Sequence, residues 1–556
     1  MISPDATSRA TDTPTPRGLA AWPRVAIAVV ALVTALAGFG WTLSGYFLGD
    51  DFGYVGRFHD FPVLQWPRLF VESWAGDMWK FQLRELRPMT ALSFIVDAHL
   101  WGGNATGYRI TNLLLHSFCA AMVGWLAWRA TSRNAVCGAV AAILFALHPV
   151  HAEPVQWITG RVDVLATTFY LAGFSAFLAF RDTGRWRWCA VFAGCYFGAA
   201  FAKEFGLTLP LMCIAADVLW LTNRERCRAW QTWAPYAAAV TFVVGYYFCR
   251  STAFGPGGAG AALPDFASLE FQEKLAQRQL TYFGHLFPPL ERWWFENAPA
   301  FKPGALRTFC FVIAGAFTGM ALWRWVARWR PVEERRAGLF FGLGWYLVAT
   351  LPLIVTYISP RHLYLASAGV CVAVAMLLYT LVRARVALVV VALAVGAFFV
   401  SKLKITMRPW HEASVLSGEI TEEIRRLTPQ LTPGGALLVD VPEIRNGAYV
   451  WTWAIPFVLR PPFIDERWDD RLVVLESRGQ YVDWERWHEQ PAVKELPGVT
   501  KPSWIVQARE EIPLRHVPVP MARLRAAAEK FAASPIKEDP HGPWRRMVDE
   551  LTAPGP

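Results

Sequence analysis

Long apolar runs recur from residue 24 to residue 403 and constrain the fold of this chain more than any other feature. A transmembrane helix needs roughly 20 mostly apolar residues, and about eleven runs qualify. They lie near residues 24–46, 108–128, 134–148, 162–180, 187–202, 205–222, 232–249, 305–326, 338–357, 364–382 and 386–403. Hydrophobic residues make up 54% of the 556 and charged residues only 18%, whereas about a quarter of a soluble chain is charged. The composition therefore excludes a soluble, fibrous or disordered protein and predicts a polytopic membrane protein.

Arginine clusters predict the orientation of these spans, because cytoplasmic loops of membrane proteins are enriched in Lys and Arg. Clusters precede the first run and follow the second, fourth, sixth, eighth and tenth runs, so all fall on one side of the membrane. Because the first cluster precedes the first run, the N-terminus is predicted to be cytoplasmic. An odd number of spans then places the C-terminal tail outside. The first run could instead be a signal peptide cleaved after Ala35-Leu36-Ala37, although it continues to Gly45 and exceeds the usual length.

Three regions follow from this pattern: a cytoplasmic tail over 1–23, a transmembrane domain over 24–403 and an outer domain over 404–556. In the outer domain, Leu437–Val441 and Leu472–Leu475 resemble short buried strands, while Glu419–Leu427 and Met521–Ala533 resemble amphipathic helices. We therefore expect an all-α membrane domain followed by a small α/β domain. The shorter apolar segment Met89–Trp101 predicts an interfacial or re-entrant helix.

The basic charge does not indicate a nucleic-acid partner. The net charge is +10, but the arginines occupy short tracts between apolar runs, which is typical of membrane topology. All nine cysteines lie in or beside apolar runs, so the spacing predicts neither a disulfide framework nor a zinc site.

Two adjacent carboxylates, Asp50 and Asp51, directly follow the first apolar run. They could be a solvated loop that caps a helix, since Asp is a good N-cap. The alternative is a general base beside the bilayer, with the second carboxylate positioning the first or binding a divalent metal.

A second polar segment follows the third run on the same predicted side and contains His148, His151 and Glu153, then Arg161 and Asp163. Two histidines three residues apart could bind a metal. However, prolines at 149 and 154 prevent a regular helix through the motif, so the floor of a polar pocket is the preferred interpretation.

Cations and further polar residues share that outer side. They are Arg87, Tyr108, Arg109, Lys203, Glu204, Arg361 and His362. Lys203 could simply pair with Glu204, and Arg109 could extend to the lipid head groups. Together, however, the cations suit an anionic lipid head group, and phosphate is the natural candidate because Arg binds it in bidentate fashion.

The sequence resembles the transmembrane and tetratricopeptide-repeat O-mannosyltransferase family, within the GT-C glycosyltransferase superfamily. The segments that carry the resemblance are Arg87–Phe94, Gly107–His116, Phe145–Val155, Gly160–Ala166, Ala202–Pro210 and Arg361–Gly369. The resemblance covers roughly residues 45–410. It implies a polytopic GT-C-like fold and a sugar taken from a polyprenyl-phosphate donor on the outer face. The tail of this chain contains no tetratricopeptide repeats, so the resemblance does not specify the acceptor, which could be a protein, lipid or glycan.

The resemblance also implies roles for individual residues. Asp50 or Asp51, with Asp50 preferred, would deprotonate the acceptor hydroxyl, and Glu153 and Asp163 would orient acceptor or donor. The cations that would bind the donor phosphate are Arg87, Arg109, Arg161, Lys203 and Arg361, with His362. The remaining pocket residues would be Tyr108, His148, His151 and Glu204. A phosphate whose charge is matched by cations can leave without a general acid. A single displacement by the acceptor would invert the anomeric centre.

Two other functional classes stay open at this point. A transporter or flippase of lipid-linked sugars is also polytopic, but transporters often show related halves, and no repeat is evident here. A non-catalytic scaffold with an outer binding domain is the third interpretation. The Arg-rich, Lys-poor composition suggests a high-GC bacterium, which would place the protein in the inner membrane with its outer side in the periplasm.

Overall fold

The computed structural model describes residues 22–553 apart from several gaps. The gaps are residues 77, 79–82, 222–229, 256–267, 287–314, 316–317, 355, 383, 443, 452–456, 469, 477–500, 510–511 and 534–541. The predicted run at 305–326 lies largely outside the described residues.

Helices dominate the first 427 residues. Those before the long gap at 287–314 are α1 (Trp22–Phe39), α2 (Asp50–Phe58), α3 (Pro88–Trp101), α4 (Ala105–Ala130), α5 (Ala135–Ala146), α6 (Ala152–Gln156), α7 (Arg161–Thr183), α8 (Trp186–Ala202), α9 (Leu209–Leu219), α10 (Ala234–Phe254) and α11 (Leu269–Leu286). Those after it are α12 (Val332–Leu339), α13 (Trp345–Thr350), α14 (Tyr364–Leu381) and α15 (Arg385–Leu427). The remaining predicted apolar runs therefore all coincide with helices, and α3 occupies the predicted short apolar segment.

Within the described residues, six helical segments are long and apolar enough to cross a membrane. A seventh is added if α5 and the bent segment Pro149–Gln156 form one span. The predicted number of eleven spans is thus not confirmed. Part of the difference lies in short helices: α8 has 17 residues, and the run predicted at 205–222 divides into a 3-10 turn, Glu204–Thr208, and the 11-residue α9. The multi-pass character of the protein is clear from the long apolar helices.

Ion pairs and backbone contacts bring the arginine clusters to one end of the helical bundle. Arg129, near the C-terminus of α4, pairs with Asp182 near the C-terminus of α7. Arg181 pairs with Asp217 near the C-terminus of α9. Nη2 of Arg330 donates to the Tyr379 carbonyl near the C-terminus of α14. We call this the arginine end. The N-termini of α4, α7 and α14, with α2 and α3 beside them, form the opposite end.

The helix α15 is 43 residues long and carries the chain from the bundle into the C-terminal domain. The predicted domain boundary at 403/404 falls inside it, so the last apolar run and the amphipathic helix predicted at Glu419–Leu427 belong to one continuous element. Buried residues on its second half, including Ile420 and Ile424, pack in the same core as Phe52 and Leu437.

The C-terminal domain contains a small sheet flanked by helices. Its elements are β1 (Ala436–Asp440), β2 (Ile444–Arg445), β3 (Ala448–Tyr449), β4 (Val473–Glu476), β5 (Ser503–Arg509), β6 (Ile512–Val519), α16 (Met521–Ala533) and α17 (Gly542–Thr552). The four-stranded sheet has the order β4-β1-β5-β6, in which β1 is parallel to β4 and β5 while β5 and β6 are antiparallel. The described elements confirm the predicted fold class, an all-α membrane domain followed by a small α/β domain.

Candidate active site

The acidic pair opens the short helix α2 at the end of the bundle opposite the arginine end. Gly49 precedes the pair with a φ of 46°, a backbone conformation that a side chain would strain, and it allows the chain to turn into α2. Both carboxylates therefore occupy the first turn of α2, where the positive end of the helix dipole favours negative charge.

Asp51 is completely buried and fully hydrogen-bonded. Its Oδ2 accepts from the Leu48 backbone N–H at 2.9 Å, and its Oδ1 accepts from the backbone N–H and the hydroxyl of Thr159 at 2.8 and 2.6 Å. These bonds join the loop before α2 to the loop before α7. Burial raises the pKa of Asp51 to about 6, although the bonds from Thr159 and Leu48 lower it. The hydrogen bonds therefore hold Asp51 between the two loops.

Asp50 contrasts with its neighbour in that it is half-buried and has no hydrogen-bond partner among the described residues. Burial raises the pKa of Asp50 to about 7, with repulsion from Asp51 as the next contribution, while the charge of Arg361 lowers it. A carboxylate that is open to a ligand and titrates near neutral pH has the properties of a general base.

Arg361, whose charge acts on Asp50, is held from several sides. Its Nη1 is 3.6 Å from Oε1 of Glu153, whose Oε2 accepts from the Ser359 hydroxyl at 3.3 Å. The guanidinium lies 5.1 Å from the centre of the Trp157 ring, within the range of a cation–π contact, and also donates to the hydroxyl of Tyr357. The ion pair with Glu153 is long, so this guanidinium can accept a second anion.

Two tighter ion-pair groups lie around this centre. Nζ of Lys203 is 2.6 Å from Oδ1 of Asp163, so Lys203 pairs across the bundle rather than with its neighbour Glu204. Arg87 bridges Glu85 at 2.9 Å and Glu204 at 3.2 Å. Oδ2 of Asp163 is buried and has no hydrogen-bond partner within the described part of the chain.

Arg161 does not face this centre. It is 0% exposed, its Nε donates to Asn112 at 2.6 Å, and its Nη2 lies 2.5 Å from the buried Asp97. Further bonds reach the backbone carbonyls of Tyr108 and Ser93. We call these five residues the Arg161 network. It ties α7 to α3 and α4 and engages all three nitrogens of the Arg161 guanidinium within the fold.

Arg109 is also buried in the structure rather than extended to lipid head groups. Its Nη1 donates to the Gln156 carbonyl at 2.8 Å and its Nη2 to the Tyr46 carbonyl at 2.5 Å. Tyr108 is buried as well and donates to the Gly102 carbonyl at 3.1 Å. Both residues therefore connect the loops at this end of the bundle and are not exposed on a pocket surface.

The histidines predicted at the pocket floor lie within the bundle. Nε2 of His151 is 2.8 Å from the Ser367 hydroxyl, and Nε2 of His148 is 3.1 Å from the Leu286 carbonyl. Both side chains are at most 1% exposed, so neither forms a pocket surface. The segment bends as its prolines predict, at 51° between α5 and Pro149–Gln156. His362 is half-buried and packs edge-on against Tyr357, with ring centres 4.9 Å apart.

Hydrogen bonds occupy most of the acceptor capacity that Asp51 could offer a divalent metal. Its Oδ1 accepts from two donors and its Oδ2 from one, which leaves a single lone pair of this carboxylate. Within the described ranges, no group of three or more His, Cys, Asp or Glu side chains is arranged to hold a metal ion.

Several residues of the site were not predicted from the sequence. Thr159 fixes Asp51, Glu85 anchors Arg87, and Trp157 packs against Arg361. Tyr449, from the C-terminal domain, packs on Trp157 with ring centres 5.5 Å apart. Thr159 adjoins a motif and Glu85 lies two residues before Arg87, whereas the contacts of Trp157 with Arg361 and Tyr449 form only when distant segments meet.

Comparisons with known proteins support the resemblance seen in the motifs. Human protein O-mannosyl-transferase TMTC4 is 28% identical over 226 residues, which cover 36% of this chain and 29% of the human protein. Drosophila melanogaster protein O-mannosyl-transferase Tmtc3 is 31% identical over 186 residues, covering 27% of this chain and 19% of the relative. The chain thus matches less than a third of the length of these relatives. No protein-family profile matches it.

Two crystal structures of ArnT from Cupriavidus metallidurans, one bound to undecaprenyl phosphate and one in the apo state, can also be aligned. They are 14% identical and cover 89% of this chain and 94% of the ArnT chain, with TM-scores of 0.43 and 0.44. These scores are too low to carry an argument about fold or function. Over about a third of its length, the chain is similar to the human and Drosophila TMTC protein O-mannosyl-transferases, the family that its motifs predict.

Proposed function

We propose that this protein is a membrane glycosyltransferase that moves a sugar from a polyprenyl-phosphate donor to an acceptor hydroxyl. The observation that carries the proposal is the contrast within the acidic pair: Asp51 is hydrogen-bonded through both oxygens, whereas Asp50 is half-buried and has no hydrogen-bond partner among the described residues. The names of the similar proteins make mannose the first sugar to test.

In the proposed reaction, Asp50 accepts the proton of the acceptor hydroxyl. The acceptor oxygen forms a bond to the anomeric carbon of the sugar as the bond from that carbon to the phosphate oxygen breaks. The electron pair of the broken bond remains on the polyprenyl phosphate, and the anomeric centre is inverted. A pKa near the working pH favours Asp50 as the base, because proton transfer is most efficient there.

Arg361 is the cation proposed to receive the phosphate. Its ion pair with Glu153 is long at 3.6 Å, and it is the cation whose charge acts on Asp50. A phosphate at this guanidinium would place the anomeric carbon near the base. Lys203 and Arg87 are engaged by closer carboxylates, so we assign them to the frame of the site. Glu153 and Asp163 orient Arg361 and Lys203, and no step is routed through a metal.

We further propose that the acidic-pair end faces the outer side of a bacterial inner membrane and the arginine end faces the cytoplasm. The positive-inside rule supports this orientation, because Arg129, Arg181 and Arg330 meet at the arginine end. A reporter fused to Pro556 is expected to be active only when it functions in the periplasm. Activity of a cytoplasmic reporter at that position would reverse the assignment.

The purified protein in detergent provides the test of the reaction. Undecaprenyl-phosphate mannose, glucose and galactose are supplied as donors, and release of undecaprenyl phosphate is measured with membrane extract as the acceptor source. Mass spectrometry of the lipids that co-purify identifies the natural sugar. We expect at least one donor to be consumed, with a glycosylated product. Translocation of intact donor across proteoliposomes without loss of its sugar would favour the transporter and overturn the enzyme.

A further inference from the structure

The C-terminal domain is bonded directly to the loop that carries the acidic pair. The backbone N–H of Gly49, the residue before Asp50, donates to the Val450 carbonyl at 3.0 Å. The indole N–H of Trp451 donates to the Ser417 hydroxyl at 3.0 Å, and that hydroxyl donates to the Phe47 carbonyl at 2.6 Å. The residues next to Tyr449 are thus fixed against the site.

Tyr449 reaches from this contact towards the reaction centre. Its ring lies 5.5 Å from the Trp157 ring and 5.9 Å from the Trp410 ring, and Arg361 packs on the same Trp157. The side chain is half-buried, so part of the ring remains accessible. Among the described residues, its hydroxyl has no hydrogen-bond partner.

Charged groups around Arg361 and the carboxylate of Asp50 both act on the hydroxyl of Tyr449. Burial raises the pKa of Tyr449 to about 12, and the next contributions come from Glu153, Arg361, Tyr357 and Asp50. The phenol therefore stays protonated at neutral pH and is available as a donor. Tyr449 shares the Trp157 ring with Arg361, and it adjoins Val450, whose carbonyl accepts from the residue before Asp50.

We propose that Tyr449 contacts the transferred sugar ring, so that the C-terminal domain forms part of the sugar-binding site. This inference rests on the proposed function, in which the anomeric carbon lies between the phosphate at Arg361 and the acceptor at Asp50. A side chain that packs on Trp157 beside Arg361 and adjoins the residue bonded to Gly49 lies beside the sugar in this arrangement. A tyrosine suits that position, because its ring offers an apolar face to the C–H groups of a sugar and its hydroxyl can bond to sugar hydroxyls.

Binding measurements on the full-length protein in detergent separate the sugar from the phosphate. The ligands are undecaprenyl phosphate itself and undecaprenyl phosphate linked to mannose, glucose or galactose. For Tyr449→Ala we expect the Kd of the preferred sugar-linked lipid to rise about tenfold, with the Kd of the bare lipid unchanged. For Tyr449→Phe, which keeps the ring, we expect a rise of about fivefold from the lost hydrogen bond.

Tyr379→Phe is the matched control. Tyr379 lies near the C-terminus of α14, whereas Arg361 lies just before the N-terminus of this helix, and its ring contacts Arg330 at the arginine end. Equal binding of every sugar-linked lipid by Tyr449→Ala and wild type would overturn the inference. An equal loss for bare and sugar-linked lipids would also overturn it, because the ring would then shape the phosphate site. Failure of the wild type to bind any of these lipids would contradict the proposed function itself.

Discussion

Two groups of charged side chains near the acidic-pair end of the bundle differ in how completely they are bonded. In the Arg161 network, a fully buried guanidinium is shared among Asp97, Asn112 and two backbone carbonyls. In the candidate active site, Asp50 lacks a partner among the described residues and Arg361 holds Glu153 at 3.6 Å.

The difference separates charges that hold the fold from charges that can meet a ligand. Burying an ion pair is tolerated only when the remaining polar atoms are largely satisfied, and in the Arg161 network every guanidinium nitrogen has a partner. A group that is half-buried and incompletely bonded keeps its capacity for a substrate. Arg161 and Arg361 both match motif positions. Arg161 is bonded within the fold through each of its nitrogens, whereas Arg361 holds its carboxylate at a longer distance and can meet a ligand.

The largest effect on activity is expected from Asp50→Asn. The amide cannot accept the proton, so transfer should fall by about 10²–10⁴-fold, measured as release of polyprenyl phosphate. Because the pKa of Asp50 is raised, ionisation destabilises the folded state as pH rises through about 7. The variant should therefore match or exceed the wild-type Tm at pH 8. Asp60→Asn, an exposed carboxylate, is the control, and equal transfer by Asp50→Asn and this control would remove Asp50 as the base.

Arg161→Leu should mainly reduce stability. It leaves Asp97 buried without its cation, and breaking such a pair costs about 3–5 kcal/mol, seen as a lower Tm in detergent. The double variant Arg161→Leu with Asp97→Leu should recover part of the loss, because no unpaired charge remains. If Arg161→Leu folded with the wild-type Tm and lost donor binding, Arg161 would belong to the phosphate site instead.

Arg361→Ala should weaken donor binding without a large loss of stability. Charge-assisted hydrogen bonds contribute about 1.5–3 kcal/mol each, so the Kd for undecaprenyl phosphate should rise by about 10- to 100-fold. Arg408→Ala provides a matched control, since Arg408 is exposed and pairs only with Glu412 among the described residues. If the Kd of Arg361→Ala for undecaprenyl phosphate were unchanged, the phosphate-binding site would be assigned to Lys203 or Arg87 instead.

Asp51→Asn tests the contrast inside the acidic pair and should have the smallest effect on transfer. The new amide N–H₂ would face the donors of Leu48 or Thr159, so we expect a stability loss of about 1–3 kcal/mol. Transfer should fall by about tenfold, through displacement of the loop. A loss as large as that of Asp50→Asn, with an unchanged Tm, would make Asp51 the base.

The sequence predicted the features that depend on local pattern. Apolar runs located the helices, the prolines at 149 and 154 predicted the break after α5, and the bounds of Met521–Ala533 were found as expected. Adjacency in the chain also drew attention to Asp50 and Asp51. These features need no knowledge of which distant segments meet.

The partners of the charged residues could not be predicted in this way. Lys203 pairs with Asp163, which is 40 residues away, instead of its neighbour Glu204, and Tyr449 comes from a domain outside the motif series. The strands β5 and β6 were also missed; β5 pairs with β1 from a distant part of the chain, and β6 pairs with β5. Contacts between distant segments determine which charged groups have all of their hydrogen-bond and ion-pair partners. A group that lacks some of these partners keeps the capacity to bind a ligand.

The pH dependence of transfer tests the central claim most directly. With a base whose pKa is about 7, kcat/KM for the donor should fall about tenfold per pH unit below that value and level off above it. The residual activity of Asp50→Asn should lose this limb, while Asp51→Asn should retain it. A wild-type profile that is flat between pH 5 and 8, or the same limb in Asp50→Asn, would contradict the assignment of Asp50 as the base.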